Sequence, residues 1–262
     1  MSTARNDSSF GTDFGPVVRV VDAPAAADIL LVCEHASNAM PAGFGGLGLD
    51  RAVLDTHVAW DPGALGVATG LAAQLAAPLV HGCVSRLVYD CNRPPEARDA
   101  IPAASEVYDI PGNAMMSGAE RQARIDTVYL PFRARLADEI AARRRALALL
   151  VTVHSFTPRY RGVPRDVQIG LLHGRDAKFA EAMLRNAPEG LEYVTRLNDP
   201  YSAADGVAHT LDLHGAVNGL PSVMLEIRND LLTTAADQAA MADLLAPWIR
   251  QTLTSYQSGA AA

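Results

Sequence analysis

Residues 29–38 read Ile-Leu-Leu-Val-Cys-Glu-His-Ala-Ser-Asn: five apolar residues that stop abruptly at a polar cluster. An unbroken apolar run of this length suits a strand covered on both faces, because neither side of it meets water. The same shape recurs. Leu87-Val-Tyr89 ends in Asp90-Cys91-Asn92-Arg93-Pro94-Pro95, Leu149-Leu-Val-Thr-Val153 in His154-Ser155-Phe156, and Val223-Met-Leu225 in Glu226-Ile227-Arg228-Asn229-Asp230. Between the first two lies Asp55-Thr-His57-Val-Ala-Trp-Asp61. In open α/β sheets ligands bind beyond the carboxyl ends of strands, so these clusters mark candidate site residues.

Working outward, strands are expected at Ile29–Cys33, Leu79–Tyr89, Ala148–Val153, Val167–Leu172 and Ser222–Ile227. Helices are expected at Pro62–Ala76 behind an Asp61-Pro62 start, and from the capping-box pattern Ser117-Gly-Ala-Glu120 to about Arg145. Two more are expected at Asp176–Asn186 and Thr234–Ser255. Strands alternating with helices predict a three-layer α/β domain. Nothing divides the chain, so one catalytic domain is expected over residues 16–256, with loose polar ends at 1–15 and 257–262. Gly43-Phe-Gly45-Gly-Leu-Gly48 matches G-x-G-x-x-G literally, but nine residues including Pro41 separate it from the preceding strand, so it reads as a loop.

Composition narrows the chemistry. The 262 residues are 49% hydrophobic and carry a net charge of -7, which argues against nucleic acid as a partner. Lys178 is the only lysine, which leaves Schiff-base chemistry a single candidate. Cys33, Cys83 and Cys91 are an odd set without a C-x-x-C pair and read as core residues. Residues 1–16 hold no apolar h-region and no run of 18 apolar residues occurs, so a cytoplasmic protein outside the membrane is expected. A homo-oligomer stays open.

Taken singly, each cluster has an ordinary reading: Asp61 as a helix cap, Arg93 paired with Asp90, Arg228 neutralising a half-buried Glu226. Taken together they fit zinc hydrolysis. A catalytic zinc ion takes three ligands from imidazole and carboxylate, and His35, Asp61 and His154 are such a set. A separate carboxylate, Glu226, is the candidate general base, and Arg93 the candidate fork for a substrate carboxylate.

The segments Cys33-Glu-His-Ala-Ser-Asn-Ala-Met-Pro41, Trp60-Asp-Pro-Gly-Ala64, Ser85-Arg-Leu-Val-Tyr-Asp-Cys-Asn-Arg-Pro-Pro95, His154-Ser-Phe-Thr-Pro158, Asn198-Asp-Pro-Tyr-Ser202 and Leu225-Glu-Ile-Arg-Asn-Asp-Leu231 resemble the N-formylglutamate amidohydrolase family, particularly its broad "predicted" branch. That family is distantly similar to zinc carboxypeptidases and aspartoacylases. The resemblance implies an α/β/α sandwich around a mixed, mostly parallel sheet of about eight strands. It also implies zinc, or another divalent transition metal, on His35, Asp61 and His154, with Glu226 as base and Asn92 with Arg93 on a substrate carboxylate.

The carboxypeptidase pattern H-x-x-E would place an acid where this chain has Asn38, so the third ligand role moves to Asp61, with Asp55 as the alternative. Tyr201-Ser202 leads into Ala203-Ala204 where better-known deformylases carry Gly-Gly, so this loop is expected to shape the substrate pocket. Tyr201, Thr210, His214 and Arg228 complete the candidate substrate contacts. The implied substrate is a small carboxylate-bearing N-acyl amino acid such as N-formylglutamate. The competing readings are a metal-free serine or histidine hydrolase on Ser37, Ser155 or Ser202, which lacks a G-x-S-x-G elbow, and a non-catalytic ligand-binding homologue.

Overall fold

In the computed structural model, which describes residues 14–260, the apolar runs lie side by side in one sheet. In chain order the elements are β1 (Val18–Val21), β2 (Ile29–Cys33), α1 (Arg51–Leu54), α2 (Ala64–Leu75), β3 (Leu79–Gly82), β4 (Ala104–Ser105), β5 (Tyr108–Asp109), α3 (Pro111–Ala114), α4 (Gly118–Arg124), α5 (Leu130–Ala142), β6 (Leu149–Phe156), β7 (Arg159–Tyr160), β8 (Val163–Pro164), β9 (Ile169–Leu172), α6 (Lys178–Arg185), β10 (Thr195–Leu197), β11 (Ser222–Arg228) and α7 (Ala235–Ala260). Seven strands join in the order β1-β3-β2-β6-β11-β9-β10. From β3 to β11 neighbours are parallel, β1 is antiparallel to β3, and β9 is antiparallel to β11.

Burial on both faces explains the unbroken apolar runs. Ile29, Leu31, Val151 and Leu225 pack on the side of α2, α6 and α7, while Leu30, Val32 and Leu150 pack against Phe132 and Leu136 of α5. This is the expected three-layer α/β/α sandwich, its central sheet holding seven strands among the described residues where about eight were implied.

Several boundaries differ for local reasons. The run expected as one strand over Leu79–Tyr89 leaves the sheet after Gly82. Ser85 turns it: its N–H donates to the Ala39 carbonyl, its hydroxyl donates to that of Ala59, and the Val88 N–H donates back to Ser85. Helix α2 starts at Ala64 with Gly63 (φ 82°) at its N-cap, so Asp61 does not cap it. The Ser117–Glu120 capping box is present, but α4 and α5 are separated by a π turn over Ile125–Tyr129. Pro131, in the first turn of α5, has no N–H for the preceding turn, which accounts for the widened spacing. Helix α7 runs through 257–260 of the expected tail. Residues 1–13 and 261–262 of the two expected loose ends lie outside the described residues, whereas Phe14 packs edge-on against Phe44. The glycine-rich stretch Ala42–Gly48 is a loop with left-handed residues at Gly45, Gly46 and Leu47, as its separation from β2 implied. No described helix is long and apolar enough to cross a membrane.

Gly170 on β9 stands in register with Glu226 on β11. A Cβ at this position would press into the Asp199 carbonyl oxygen and lie 3.1 Å from the Glu226 Cβ. Gly170→Ala is therefore expected to destabilise the protein by about 1–3 kcal/mol, read as a lower denaturant midpoint. An unchanged midpoint would show that the β9–β10 edge yields without cost.

Candidate active site

Three adjacent strands deliver the polar clusters to one place. Glu34 and His35 follow β2 directly, His154 lies within β6, and Glu226 on β11 is in register with His154. Asp61 comes from the loop before α2, where its N–H donates to the His35 carbonyl at 2.9 Å. With no helix to cap, its carboxylate turns inward.

His35 Nδ1 lies 3.3 Å and His154 Nδ1 2.9 Å from the same oxygen, Asp61 Oδ2. One ligand atom from each of these three buried residues falls within 4.8 Å of the others. The outward nitrogens face carboxylates: His35 Nε2 is 2.7 Å from Asp90 Oδ1, and His154 Nε2 is 3.0 Å from Glu34 Oε2. A carboxylate behind each imidazole is the arrangement that fixes ring orientation at metal sites. The second of these contacts lacks hydrogen-bond alignment, and both Glu34 oxygens remain without a hydrogen-bond partner.

Glu34, Asp61, Asp90 and Glu226 are all buried here, and among the described residues one guanidinium lies within ion-pairing distance of any of them. That is Arg86, 2.6 Å from Asp90 Oδ2 and 3.4 Å from Asp61 Oδ1. Glu226 Oε2 has no hydrogen-bond partner either. Two imidazole nitrogens, a carboxylate oxygen and an excess of buried negative charge suit a metal ion, so His35, Asp61 and His154 could hold one.

Electrostatics separates the acids. Burial raises the Asp61 pKa, but the two imidazoles outweigh it and hold the group well below the usual carboxylate range. Burial lowers both histidines, yet Asp90 and Asp61 bring His35 above its ordinary value, and Glu34 and Asp61 bring His154 well above. Glu226 behaves oppositely. Burial, reinforced by Asp61, pushes it up to about 7 against the pull of His154, His35 and Arg86. A cation bound at the three donors would draw it lower.

These groups open into a cavity of about 600 Å³. Residues of the β4–β5 and β7–β8 hairpins line it, and Glu106 ties the two: its Oε1 accepts the Arg161 N–H at 3.4 Å and its Oε2 lies 3.1 Å from His57 Nε2. Of the expected substrate contacts, Asn92, Arg93 and Tyr201 line the cavity, while Thr210, His214 and Arg228 do not.

The reasons are specific. Asn92 is spent on the 207–210 segment, donating to the Val207 carbonyl at 2.6 Å and accepting the Thr210 N–H at 3.0 Å. Thr210 lies beside Glu34. Burial, with His209 and Arg133, pushes His214 down to about 4, so it is neutral at pH 7. Arg228 pairs with Asp230 at 2.8 Å and donates to the Arg165 carbonyl, leaving Glu226 without it. Asp55 is exposed, paired with Arg51 and bound by Asn38, apart from the histidines. The sequence alone assigns no role to Glu34 or Arg86. Their only signal was position, directly after an apolar run and four residues before Asp90.

The serines do not form a nucleophilic pair. The Ser155 hydroxyl donates to the Pro62 carbonyl, that of Ser202 donates to Asp205, and that of Ser37 accepts the Ala39 N–H. None is hydrogen-bonded to an imidazole, which removes the base that a serine hydrolase needs.

Comparison with known proteins agrees with this geometry. The family model described as N-formylglutamate amidohydrolase matches residues 27–233. A gene product of Agrobacterium tumefaciens of known crystal structure is 49% identical, with 93% of this chain and 97% of that chain covered and a TM-score of 0.88. The N-formylglutamate amidohydrolase of Ralstonia eutropha is 18% identical over 93% of this chain and 99% of its own, with a TM-score of 0.61, and shares the fold. No curated protein matches the chain in sequence. The matched span contains every strand-end cluster described above, from His35 to Arg228, and the chain belongs to the N-formylglutamate amidohydrolase family.

Proposed function

We propose that the chain is a zinc-dependent amidohydrolase that removes a formyl, or another small acyl, group from an acidic amino acid such as N-formylglutamate. One observation carries this reading. Two Nδ1 atoms and a carboxylate oxygen converge, while a second acid, Glu226, stands beside them with an unpartnered oxygen. We take residues 16–256 as the catalytic domain. The cysteines are unpaired, which suits the reducing cytoplasm in which we place the reaction.

When bound to His35, Asp61 and His154, zinc supplies Lewis-acid activation of a water molecule and of the scissile carbonyl. The remaining work falls to side chains. Glu226 takes the proton of the attacking water at Oε2 and returns it to the leaving nitrogen. Burial raises the basicity of this carboxylate, which favours the first transfer, and a bound cation draws its pKa back down, which favours release of the proton in the second. Arg86 lies at the metal-ligand end of the cavity and is the guanidinium placed to face a developing oxyanion. His214 has neither the charge nor the position for that task. Asn92 and Arg93 hold the cavity wall through the 205–210 segment.

Elemental analysis of the purified protein is expected to find about one zinc per chain. Dipicolinate is expected to abolish deformylation of N-formyl-L-glutamate, and added Zn²⁺ to restore it. Full turnover by thoroughly stripped protein would overturn the metal assignment, and turnover of none of a panel of N-formyl and N-acetyl amino acids would overturn the substrate class.

A further inference from the structure

Four arginines line the cavity, and they differ in what they have left to offer. Arg86 is paired with Asp61 and Asp90, and Arg93 with Asp99. Arg93 has little free edge. Its Nε donates to Asp99 at 2.8 Å, its Nη1 to the Gly206 carbonyl at 2.7 Å, and its Nη2 to the Asp205 carbonyl at 3.3 Å. The arginine of the Asp-Cys-Asn-Arg motif is thus a buckle on the 205–206 turn.

Arg165, directly after β8, is different. No acid lies within ion-pairing distance of it among the described residues. Its Nη1 donates to the Tyr201 hydroxyl at 3.0 Å. Its guanidinium carbon lies 4.7 Å from the ring centre of Tyr201, 4.8 Å from that of Tyr160 and 5.6 Å from that of Phe156. The backbone is pinned as well, the N–H donating to the Pro158 carbonyl and the carbonyl accepting from Arg228. Nε and Nη2 make no hydrogen bond among the described residues, neither is sealed from solvent, and Arg165 lines the cavity. Those two atoms form the side of a guanidinium that receives a carboxylate through parallel N–H···O bonds. Three aromatic faces fix its plane before a ligand arrives, so little side-chain entropy is lost on binding. Arg161, also unpaired, is exposed at the hairpin tip and lies over only Tyr160, at 5.5 Å.

We propose that Arg165 binds a carboxylate of the substrate side-on through Nε and Nη2. The assignment deepens the amidohydrolase reading and rests on it for the identity of the substrate. It also gives Tyr201 and Arg228 their parts: each holds one end of Arg165.

N-formyl-L-glutamate, its γ-amide and its α-amide are assayed with the zinc-loaded wild type, Arg165→Met and Arg165→Lys, with zinc content and thermal midpoint measured on each. Arg165→Met is expected to lower kcat/KM about 10²-fold, mainly through KM, for substrates that keep the bound carboxylate. The amide that lacks this carboxylate is expected to lose little, and its identity distinguishes the α-carboxylate from the side-chain one. Arg165→Lys keeps the charge without the fork and should recover part of the loss, and it keeps the test readable should the methionine variant not fold. Equal losses on all three substrates, or unchanged KM values, overturn the assignment. Calorimetric titration of L-glutamate into the zinc-loaded proteins separates this outcome from failure of the enzyme reading. Binding lost in Arg165→Met without turnover of any formyl compound would support the carboxylate site and sink the amidohydrolase. No glutamate binding to the wild type, or equal binding to both, overturns the site itself.

Discussion

Glu226→Gln is expected to lower kcat/KM by about 10²–10⁴-fold and, in the metal-stripped protein, to raise the thermal midpoint above pH 7. The first effect follows from losing the group that accepts and returns the proton, in a variant of nearly unchanged shape. The second follows from burial. Glu226 sits at about 7 in the folded protein, above the ordinary carboxylate value of about 4.3. The folded state therefore binds this proton more tightly than the unfolded state does, and ionisation costs stability as pH rises through about 7. Glutamine carries no such cost. The difference in midpoint between variant and wild type should be largest at pH 8 and vanish below pH 4. Calorimetric melts across this range, paired with assays of the zinc-loaded proteins, test both halves. Wild-type turnover by the variant would remove Glu226 from the base role. A midpoint lower than wild type at pH 8 would mean that the carboxylate is stabilised by contacts that burial alone does not predict.

The central strands were legible because burial on both faces leaves a composition mark, five apolar residues in β2 and near-continuous ones in β6 and β11. The edge strands β1 and β10, Val-Arg-Val-Val and Thr-Arg-Leu, carry no such mark and exist because a neighbour offers hydrogen bonds. Over Leu79–Tyr89 the same apolar signal misled. A turn packed under loops is as dry as a strand, and Ser85 bends the chain through bonds to residues far away in sequence. Among site residues, His35 and His154 were legible by type and by position at strand ends, and Asp61 by its place just before a helix. Sequence favoured Asp61 and kept Asp55 as the alternative; setting Asp55 aside needed the fold, since one carboxylate turns inward and the other pairs with Arg51 on the surface. Arg93 and Arg165 show the limit most plainly. Which edge of a guanidinium is free depends on carbonyls and rings brought from distant segments. Arg165, beside Pro164 in a polar hairpin, gives no sign of its aromatic surroundings in the sequence.

Asp61→Asn is expected to abolish stoichiometric zinc retention, because an amide oxygen is a much poorer donor to zinc than a carboxylate at the same place. The substitution keeps size and shape, so the lost charge dominates. It should also expose what Asp61 does in the metal-stripped protein, where Oδ2 faces both imidazoles and accepts the Ser155 N–H at 3.3 Å. The lowered Asp61 pKa means that its contribution is present above the ordinary carboxylate value of about 4 and is lost as pH falls through the folded value. The raised histidine values mean that theirs is complete below about 6.5 and is lost as pH rises through the folded values. Both conditions hold between about pH 4 and 6.5, so the stripped variant should lose most stability there. The loss is bounded by about 3–5 kcal/mol for breaking a buried ion pair, because the rings can shed their protons instead. At pH 8 the penalty should shrink, because the unfolded chain no longer carries these protons and the folded imidazoles must bind them from a dilute pool. Denaturant midpoints of stripped wild type and variant at pH 5.5 and pH 8, with zinc titrations at the higher pH, measure both effects. A variant that binds zinc as tightly as the wild type would remove Asp61 from the ligand set. A penalty equal at the two pH values would mean that Asp61 stabilises the fold through Ser155 and Arg86, with the charged imidazoles contributing nothing.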